Sequence, residues 1–276
     1  MRSPRRRICT LRIPAGQSSP KYGNHQMGRK MKKLQFAIWL LLGLQACESD
    51  NDLSQPGSDG QAGQGGSLAR FTVANDHLFI VDGSQLKTFS LQNAADPVYL
   101  SNQNVNAQVE TVFPLGDSTL FIGTTTGMLI YDVTTPLSIK HLSTYQHVVA
   151  CDPVVANAQY AYVTLRSDPE VNWCFRSVNQ LDIIDIRNLR QPLLVTEIPM
   201  INPKGLGLYG DTLLVCDAGV KVMDVSSPEA PNLLSAFERY QPFDIIPYSS
   251  LMIFVGESGL EQYRFHRGQL QYLSTL

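Results

Sequence analysis

Five charged residues recur along this chain at the spacing of a repeat. They are Arg70, Glu110, Asp152, Lys204 and Asp244, and the steps between them are 40, 42, 52 and 40 residues. Each stands just before an apolar or small run that is typical of a short strand. Strands that surround one axis bring their first residues to one mouth of a central channel. The sequence therefore predicts a candidate binding face at which three acids and two bases converge.

Two interpretations of this charged ring remain open in the sequence. Carboxylates that converge in a confined mouth concentrate the electric field and suit a small ligand or an oxygen-coordinated cation. Alternatively, the five charges pair with one another and only close the fold. We predict no catalytic residue, metal site or cofactor, because the chain lacks a Gly-x-Ser-x-Gly turn, a Walker loop and close Cys/His spacing.

An insertion over residues 166–179 (RSDPEVNWCFRSVN) lengthens the third repeat and joins two strands on the same face as the charged ring. It carries Trp173 and Phe175, flanked by Arg166 and Arg176. These residue types anchor interfaces, so the two aromatic side chains join the candidate binding face. The alternative is a loop that folds its aromatic side chains down onto the body of the domain.

The cysteines predict one disulfide. We expect Cys151, near the channel mouth, to pair with Cys174 in the insertion, since an oxidising cell envelope favours disulfides. The bond would close about 22 residues and stabilise the fold by roughly 3 kcal/mol in the chain-entropy model. Cys216 lies within an apolar strand and is expected to be a buried free thiol.

A repeat of about 40 residues must position these side chains. Each copy holds an apolar strand and a hairpin partner, and the partners reach Ser90, Asp132, Asp185, Asp224 and Arg264, at steps of 42, 53, 39 and 40 residues. Each unit has room for four short strands, and no long helical pattern occurs. The spacing predicts an all-β fold, a β-propeller of about five four-stranded blades over residues 69–276.

Two strand motifs, residues 78–82 (LFIVD) and 181–186 (LDIIDI), resemble those of the LVIVD-repeat β-propeller lipoproteins. Residues 110–117 (ETVFPLGD), 151–155 (CDPVV), 161–166 (AYVTLR) and 205–208 (GLGL) are similar to that family as well. The resemblance covers essentially all of residues 69–276, and it implies a propeller fold and a cell-envelope location. That family has no established activity to carry over. Lys204 stands where the family is expected to have His, so the resemblance assigns no site there.

Residues 1–46 are predicted to be a leader that contains a lipoprotein signal peptide. Basic residues after Met31 precede an apolar run over 34–44 (LQFAIWLLLGL), and residues 44–47 (LQAC) resemble a lipobox. The apolar run is roughly half of the ~20 residues that span a bilayer. We expect translation to start at Met31 or Met27, and Cys47 to be lipidated as the mature N-terminus. Residues 47–68 are then a disordered tether, because they hold almost no apolar side chains.

The charge of the chain is divided unevenly. The leader carries ten of the 22 Lys and Arg residues and none of the 24 Asp and Glu residues, so the rest has 12 bases against 24 acids, a net charge of −12. Such a domain is not expected to bind nucleic acid. The expected partners are the membrane, reached through the N-terminal lipid, and an envelope protein or glycan. We expect lipid anchoring to the outer membrane, facing the periplasm or the cell surface.

Two functions from different classes fit the sequence. The first is a non-catalytic binding or scaffold module of the cell envelope that uses the face of the charged ring. The alternative is a propeller-type envelope hydrolase or lyase in which Glu110, Asp152 and Asp244 serve as acid, base or metal ligands at the channel mouth. Carboxylates that face one open pocket favour the enzyme, and carboxylates paired to Arg70 and Lys204 disfavour it.

Overall fold

A computed structural model describes residues 66–147, 153–167 and 178–276 of the chain. These residues form five four-stranded antiparallel sheets, each built in chain order from one segment. The described residues include no helix. The predicted all-β propeller of about five four-stranded blades is thereby confirmed, and we number the sheets as blades one to five.

The strand bounds follow the predicted repeat. Blade one contains β1 (Phe71–Ala74), β2 (His77–Asp82), β3 (Gln85–Ser90) and β4 (Val98–Asn104), and blade two contains β5 (Val109–Leu115), β6 (Thr119–Thr124), β7 (Gly127–Asp132) and β8 (Lys140–Gln146). Blade three contains β9 (Val154–Ala156), β10 (Tyr160–Leu165), β11 (Gln180–Asp185) and β12 (Leu193–Pro199). Blade four contains β13 (Pro203–Tyr209), β14 (Thr212–Asp217), β15 (Val220–Asp224) and β16 (Asn232–Phe237), and blade five contains β17 (Asp244–Tyr248), β18 (Leu251–Gly256), β19 (Gly259–His266) and β20 (Gln269–Thr275). The first strands of successive blades lie beside one another, so they form the centre of the propeller.

Short Asp turns end the third strand in blades two, three and four. The Oδ1 atom of Asp132 accepts the backbone N–H of Thr134 at 2.9 Å, and Asp224 accepts that of Ser226 at the same distance. Asp185 accepts the N–H of Arg187 at 3.0 Å. These bonds satisfy turn backbone that the sheet leaves unpaired.

Buried apolar clusters join each blade to the next. Phe79 and Val81 of blade one pack with Val112 and Ile122 of blade two, and similar clusters join blades two and three, three and four, and four and five. Among the residues that the structure describes, no such cluster joins blade five to blade one. Apolar burial therefore joins blades one to five in chain order, and any link between blades five and one must be of another kind.

The burial patterns mark the same boundary, which we call the seam. All six residues of the central strand β6 are buried, whereas burial in β2 and β18 alternates along the strand. Phe71 of β1 is 61% exposed, although Thr111 and Ile245 at the equivalent positions of blades two and five are 1% and 0% exposed. The central strands of blades one and five are thus less buried than that of blade two, and each of these two blades shares an apolar cluster with one neighbouring blade.

At the centre of the propeller, hydrogen bonds connect the segment before blade one to blades four and five. The hydroxyl of Ser67 donates to Oδ1 of Asp244 at 2.8 Å, and the N–H of Leu68 donates to Oδ2 at 3.2 Å. The N–H of Leu206 in blade four donates to the Ser67 oxygen at 2.8 Å. We call Ser67, Leu68, Leu206 and Asp244 the hub clasp. It ties the segment before blade one to the last two blades across the middle of the propeller.

The hub clasp corrects one predicted boundary. The sequence assigns residues 47–68 to a tether, but the structure packs residues 66–68 against the inner strand of blade five. Gly66 lies so close to this strand that a Cβ atom there would stand 2.0 Å from Oδ2 of Asp244. The leader, Cys47 and the tether up to residue 65 lie outside the described residues. Within the described ranges, no helix is long and apolar enough to cross a bilayer.

Candidate functional site

A cavity of about 370 Å³ opens where the inner strands of all five blades begin. Its lining includes one position from each blade: Arg70, Glu110, Pro153, Lys204 and Phe243. Leu68, Thr111 and Arg166 complete the wall, and we call this cavity the central pocket. The predicted convergence is therefore observed for Arg70, Glu110 and Lys204.

Irregular pairing at the start of two inner strands accompanies two of these charges. The register between β5 and β6 shifts between Val109 and Thr111, so Glu110 falls at a bulge. The register between β13 and β14 shifts between Pro203 and Leu206, which takes Lys204 out of the ladder. A bulge changes the direction of a side chain relative to the regular pleat, and here both residues line the central pocket.

Backbone contacts between blades hold Lys204 in place. Its carbonyl accepts a hydrogen bond from Oγ1 of Thr164 in blade three at 2.6 Å. The N–H of the next residue, Gly205, donates to the carbonyl of Phe243 at 2.9 Å. The start of β13 is thereby fixed from both neighbouring blades, and the Lys204 side chain has a rigid base.

Two basic side chains of the central pocket lack a partner among the described residues. Arg70 and Lys204 neither donate a side-chain hydrogen bond to, nor form an ion pair with, any of them. Asp82 lies near Arg70, but the hydrogen bond and charge of Lys87, at 2.7 Å, are the main reasons why the pKa of Asp82 is lowered. The interpretation in which the ring charges pair with one another therefore does not hold for Arg70 and Lys204.

The structure does not place Asp244 in the lining of the central pocket, where the sequence predicts it. Its carboxylate is 6% exposed and belongs to the hub clasp, and the preceding residue Phe243 lines the central pocket instead. Burial raises the pKa of Asp244, and hydrogen bonds from Ser67, Leu68 and Ile245 oppose that shift. With these donors on its two oxygens, Asp244 holds the segment before blade one and does not line the central pocket.

Several predicted residues lie outside the described ranges. These are Asp152 of the charged ring, Trp173 and Phe175 of the insertion, and both members of the expected disulfide, Cys151 and Cys174. Cys216 is described: it is 1% exposed and free, and burial is the main reason why the pKa of its thiol is raised well above the ordinary value. The prediction of a buried free thiol is confirmed for Cys216.

Sequence reasoning did not assign Arg166, Leu68 and Phe243 to the site. Arg166 directly follows β10, and in an antiparallel blade the end of the second strand lies beside the start of the first. That adjacency is readable from the strand pattern and would have identified Arg166. Leu68 carries no comparable signal, because its position depends on the hub clasp.

A second buried carboxylate lies between blades two and three. Asp182 of β11 is 1% exposed and accepts hydrogen bonds from Gln180 at 2.6 Å and from the Tyr145 hydroxyl at 3.2 Å. Burial raises the pKa of Asp182, which these hydrogen bonds oppose. Burial also raises the pKa of Tyr145, together with the nearby Asp182 charge. The contacts of Asp182 are structural, and it does not line the central pocket.

No arrangement for a metal is found among the described side chains. Within the described ranges, no three His, Cys, Asp or Glu residues group closely enough to hold an ion. Four charged residues, Arg70, Arg166, Lys204 and Glu110, line the central pocket. Such a wall is suited to hold the polar groups of a small molecule, whereas a cation needs several converging oxygen ligands.

Comparisons with known proteins support the fold. A functionally unknown protein from Desulfotomaculum acetoxidans superposes with a TM-score of 0.62 at 15% identity, over 74% of this chain and 68% of that one. The periplasmic gluconolactonase of Pseudomonas aeruginosa gives 0.58 at 11% identity, over 75% and 69% of the two chains. A putative 6-phosphogluconolactonase from Bacteroides uniformis gives 0.59 at 8% identity, over 73% and 68%. No family model and no curated sequence matches this chain. At these identities the likeness establishes a propeller scaffold and no activity.

Proposed function

We propose that this protein is a lipid-anchored propeller of the cell envelope that binds a small ligand, without catalysis, in the central pocket. The observation that carries the proposal is the convergence of all five blades on one cavity of about 370 Å³. That volume lies within the range of about 300–1,000 Å³ that is usual for small-molecule sites. Four of the eight described lining residues are charged and three are apolar, so the pocket offers polar partners beside an apolar surface.

The carboxylate enzyme that the sequence allows has less support. Acid–base hydrolysis needs two carboxyl groups that face the same substrate. Of the described residues, Glu110 is the one carboxylate in the lining of the central pocket, and Asp244 is held by its hydrogen bonds in the hub clasp. The two lactonases among the similar structures share the scaffold at 11% and 8% identity, which does not transfer their activity.

Envelope location and lipid anchoring are part of the proposal on sequence grounds. They rest on the basic and apolar leader, on the lipobox-like residues before Cys47, and on the resemblance to LVIVD-repeat lipoproteins. The partner is then a small envelope solute or the exposed group of a glycan or envelope protein. Only a ligand that presents a small group fits the central pocket.

Blocking the pocket tests the proposed function. Leu68→Trp adds bulk to the wall, while Leu137→Trp makes the same change at a site that is 70% exposed and does not line the pocket. The full chain is purified in mild detergent, and the small molecules released on denaturation are identified by mass spectrometry. We expect wild type and Leu137→Trp to retain a compound that Leu68→Trp has lost. Equal retention in all three proteins would contradict binding in the central pocket.

A further inference from the structure

The described wall of the central pocket is basic, although the chain beyond residue 46 is acidic. Beyond residue 46 the chain has 12 basic and 24 acidic residues. Three of those 12 bases, Arg70, Arg166 and Lys204, line this one cavity, and Glu110 is the acid that the described lining contains. Composition alone would place about twice as many acids as bases there. Within the described lining, the excess of bases over acids therefore does not follow from the composition of the domain.

Neither of the two bases forms an ion pair with a described acid, Glu110 of the same wall included. Arg70 is exposed, but Lys204 is half-buried, and a half-buried cation without an opposite charge costs free energy. Asp82, which lies near Arg70, binds the ammonium of Lys87. Asp244 accepts its hydrogen bonds from Ser67, Leu68 and Ile245, and no basic side chain bonds to it among the described residues. Among the described residues, Arg70 and Lys204 thus reach the wall of the cavity without a side-chain hydrogen bond or ion pair.

We propose that the central pocket binds a small organic anion, whose carboxylate or phosphate group is held by Arg70 and Lys204. This inference rests on the proposed function and adds the chemical class of the ligand. The planar guanidinium of Arg70 offers two parallel donors, which match a carboxylate or a phosphate, and the ammonium of Lys204 adds a compact charge. Leu68, Pro153 and Phe243 add apolar surface to the wall, against which the carbon frame of such an anion can pack.

Calorimetric titration of the full chain tests this assignment. The probes are D-gluconate, glucose 6-phosphate, inorganic phosphate and neutral D-glucose, so that carboxylate, phosphate and uncharged sugar are compared on similar frames. We expect at least one of the three anions to bind, glucose not to bind, and the affinity for the anion to fall as NaCl is added. The better of gluconate and glucose 6-phosphate then identifies the group that the pocket prefers.

Charge variants locate the binding. Arg70→Gln and Lys204→Gln are each expected to weaken binding of the anion about tenfold or more, since each removes a charge-assisted contact. Lys204→Arg, which keeps the charge, is expected to retain most of the affinity. Lys140→Gln is the matched control, because Lys140 is exposed on β8 and does not line the pocket. Circular dichroism of each variant establishes that it is folded.

The anion assignment would be overturned if glucose bound as tightly as gluconate, or if a folded Lys204→Gln kept the wild-type affinity. It would also be overturned if none of the three anions bound at about 10 mM, a concentration that detects weak sites. A neutral compound whose retention Leu68→Trp abolishes would leave the proposed function standing while the anion assignment fails. If Leu68→Trp changes nothing, the proposed function itself is wrong. The two sets of variants therefore separate the two failures.

Discussion

Asp182 and Asp244 are buried carboxylates that connect different parts of the fold, and the same balance of burial and hydrogen bonding governs both. Each loses its hydration on folding, and each recovers part of that cost through donors on its two oxygens. Asp244 joins the segment before blade one to blade five, while Asp182 joins blade three to Tyr145 of blade two. In both cases burial prevails and the pKa is raised. Their role is to select which chain segments meet.

The raised pKa of Asp182 predicts how stability depends on pH. Above pH 3.8 the unfolded chain loses this proton while the folded protein keeps it, so the free energy of unfolding falls as pH rises toward the folded pKa. Asp182→Asn has no proton to lose and is expected to flatten this slope. Urea denaturation of the full chain between pH 4 and 7.5 measures it, on a scale of about 1.4 kcal/mol per unit of pKa shift.

The pH range in which Asp182 affects the free energy of unfolding differs from that of the turn carboxylates. Hydrogen bonds from Thr134, Arg187 and Ser226 lower the pKa of Asp132, Asp185 and Asp224, so their contribution is lost only as pH falls below 3.8. The exposed Asp76→Asn is the control for Asp182→Asn and should keep the wild-type slope. A slope in Asp182→Asn equal to that of wild type would show that this carboxyl does not set the pH dependence.

At the scale of elements, glycine brings blades four and five together. A Cβ atom on Gly205 would lie 2.3 Å from Oδ1 of Asp244 and 2.6 Å from the carbonyl oxygen of Phe243. A Cβ atom on Gly207 would lie 2.8 Å from Cγ of Pro247 in β17. The inner strands β13 and β17 can therefore approach only because β13 lacks side chains at these two positions. This approach also places Phe243 and Lys204 on one wall of the central pocket.

Gly205→Ala is expected to force β13 and β17 apart. One neighbour of the added methyl group is backbone and cannot rotate away, so we expect a loss of about 1–3 kcal/mol in the free energy of unfolding. Urea denaturation of the full chain provides the measurement. Asp211→Ala, at an exposed turn position after β13, is the control and should cost less than about 0.5 kcal/mol. A Gly205→Ala protein as stable as this control would show that the close approach is not required.

At the scale of the whole molecule, the hydrogen bonds of the hub clasp link the segment before blade one to blades four and five near the axis. Each described blade is one continuous segment and shares no strand with another. Among the described residues no apolar cluster joins blades five and one, and Phe71 of β1 is 61% exposed. The segment that leads toward the predicted anchor thus enters the propeller at its centre, beside the central pocket.

The predicted anchor can be tested by removing one sulfur atom. Cys47→Ser lacks the thiol that the lipid would modify, so we expect this variant to leave the membrane fraction and to take up no radiolabelled palmitate in a bacterial host. Cys216→Ser is the control, since that thiol is buried in blade four, and it should remain in the membrane fraction. Membrane association and labelling of Cys47→Ser would refute the lipid anchor. Mass spectrometry of the precursor's first peptide tests the start at Met31.

The sequence by itself determined the fold class and most strand positions, because apolar runs and Asp turns are local signals that recur at a regular spacing. It also placed Arg70, Glu110 and Lys204 at one mouth, since repetition makes equivalent residues converge. The tertiary structure alone decided that Asp244 turns into the hub clasp, and that Leu68 and Phe243 line the central pocket in its place. Those outcomes depend on a contact between residues 177 positions apart, and no local pattern encodes such a contact.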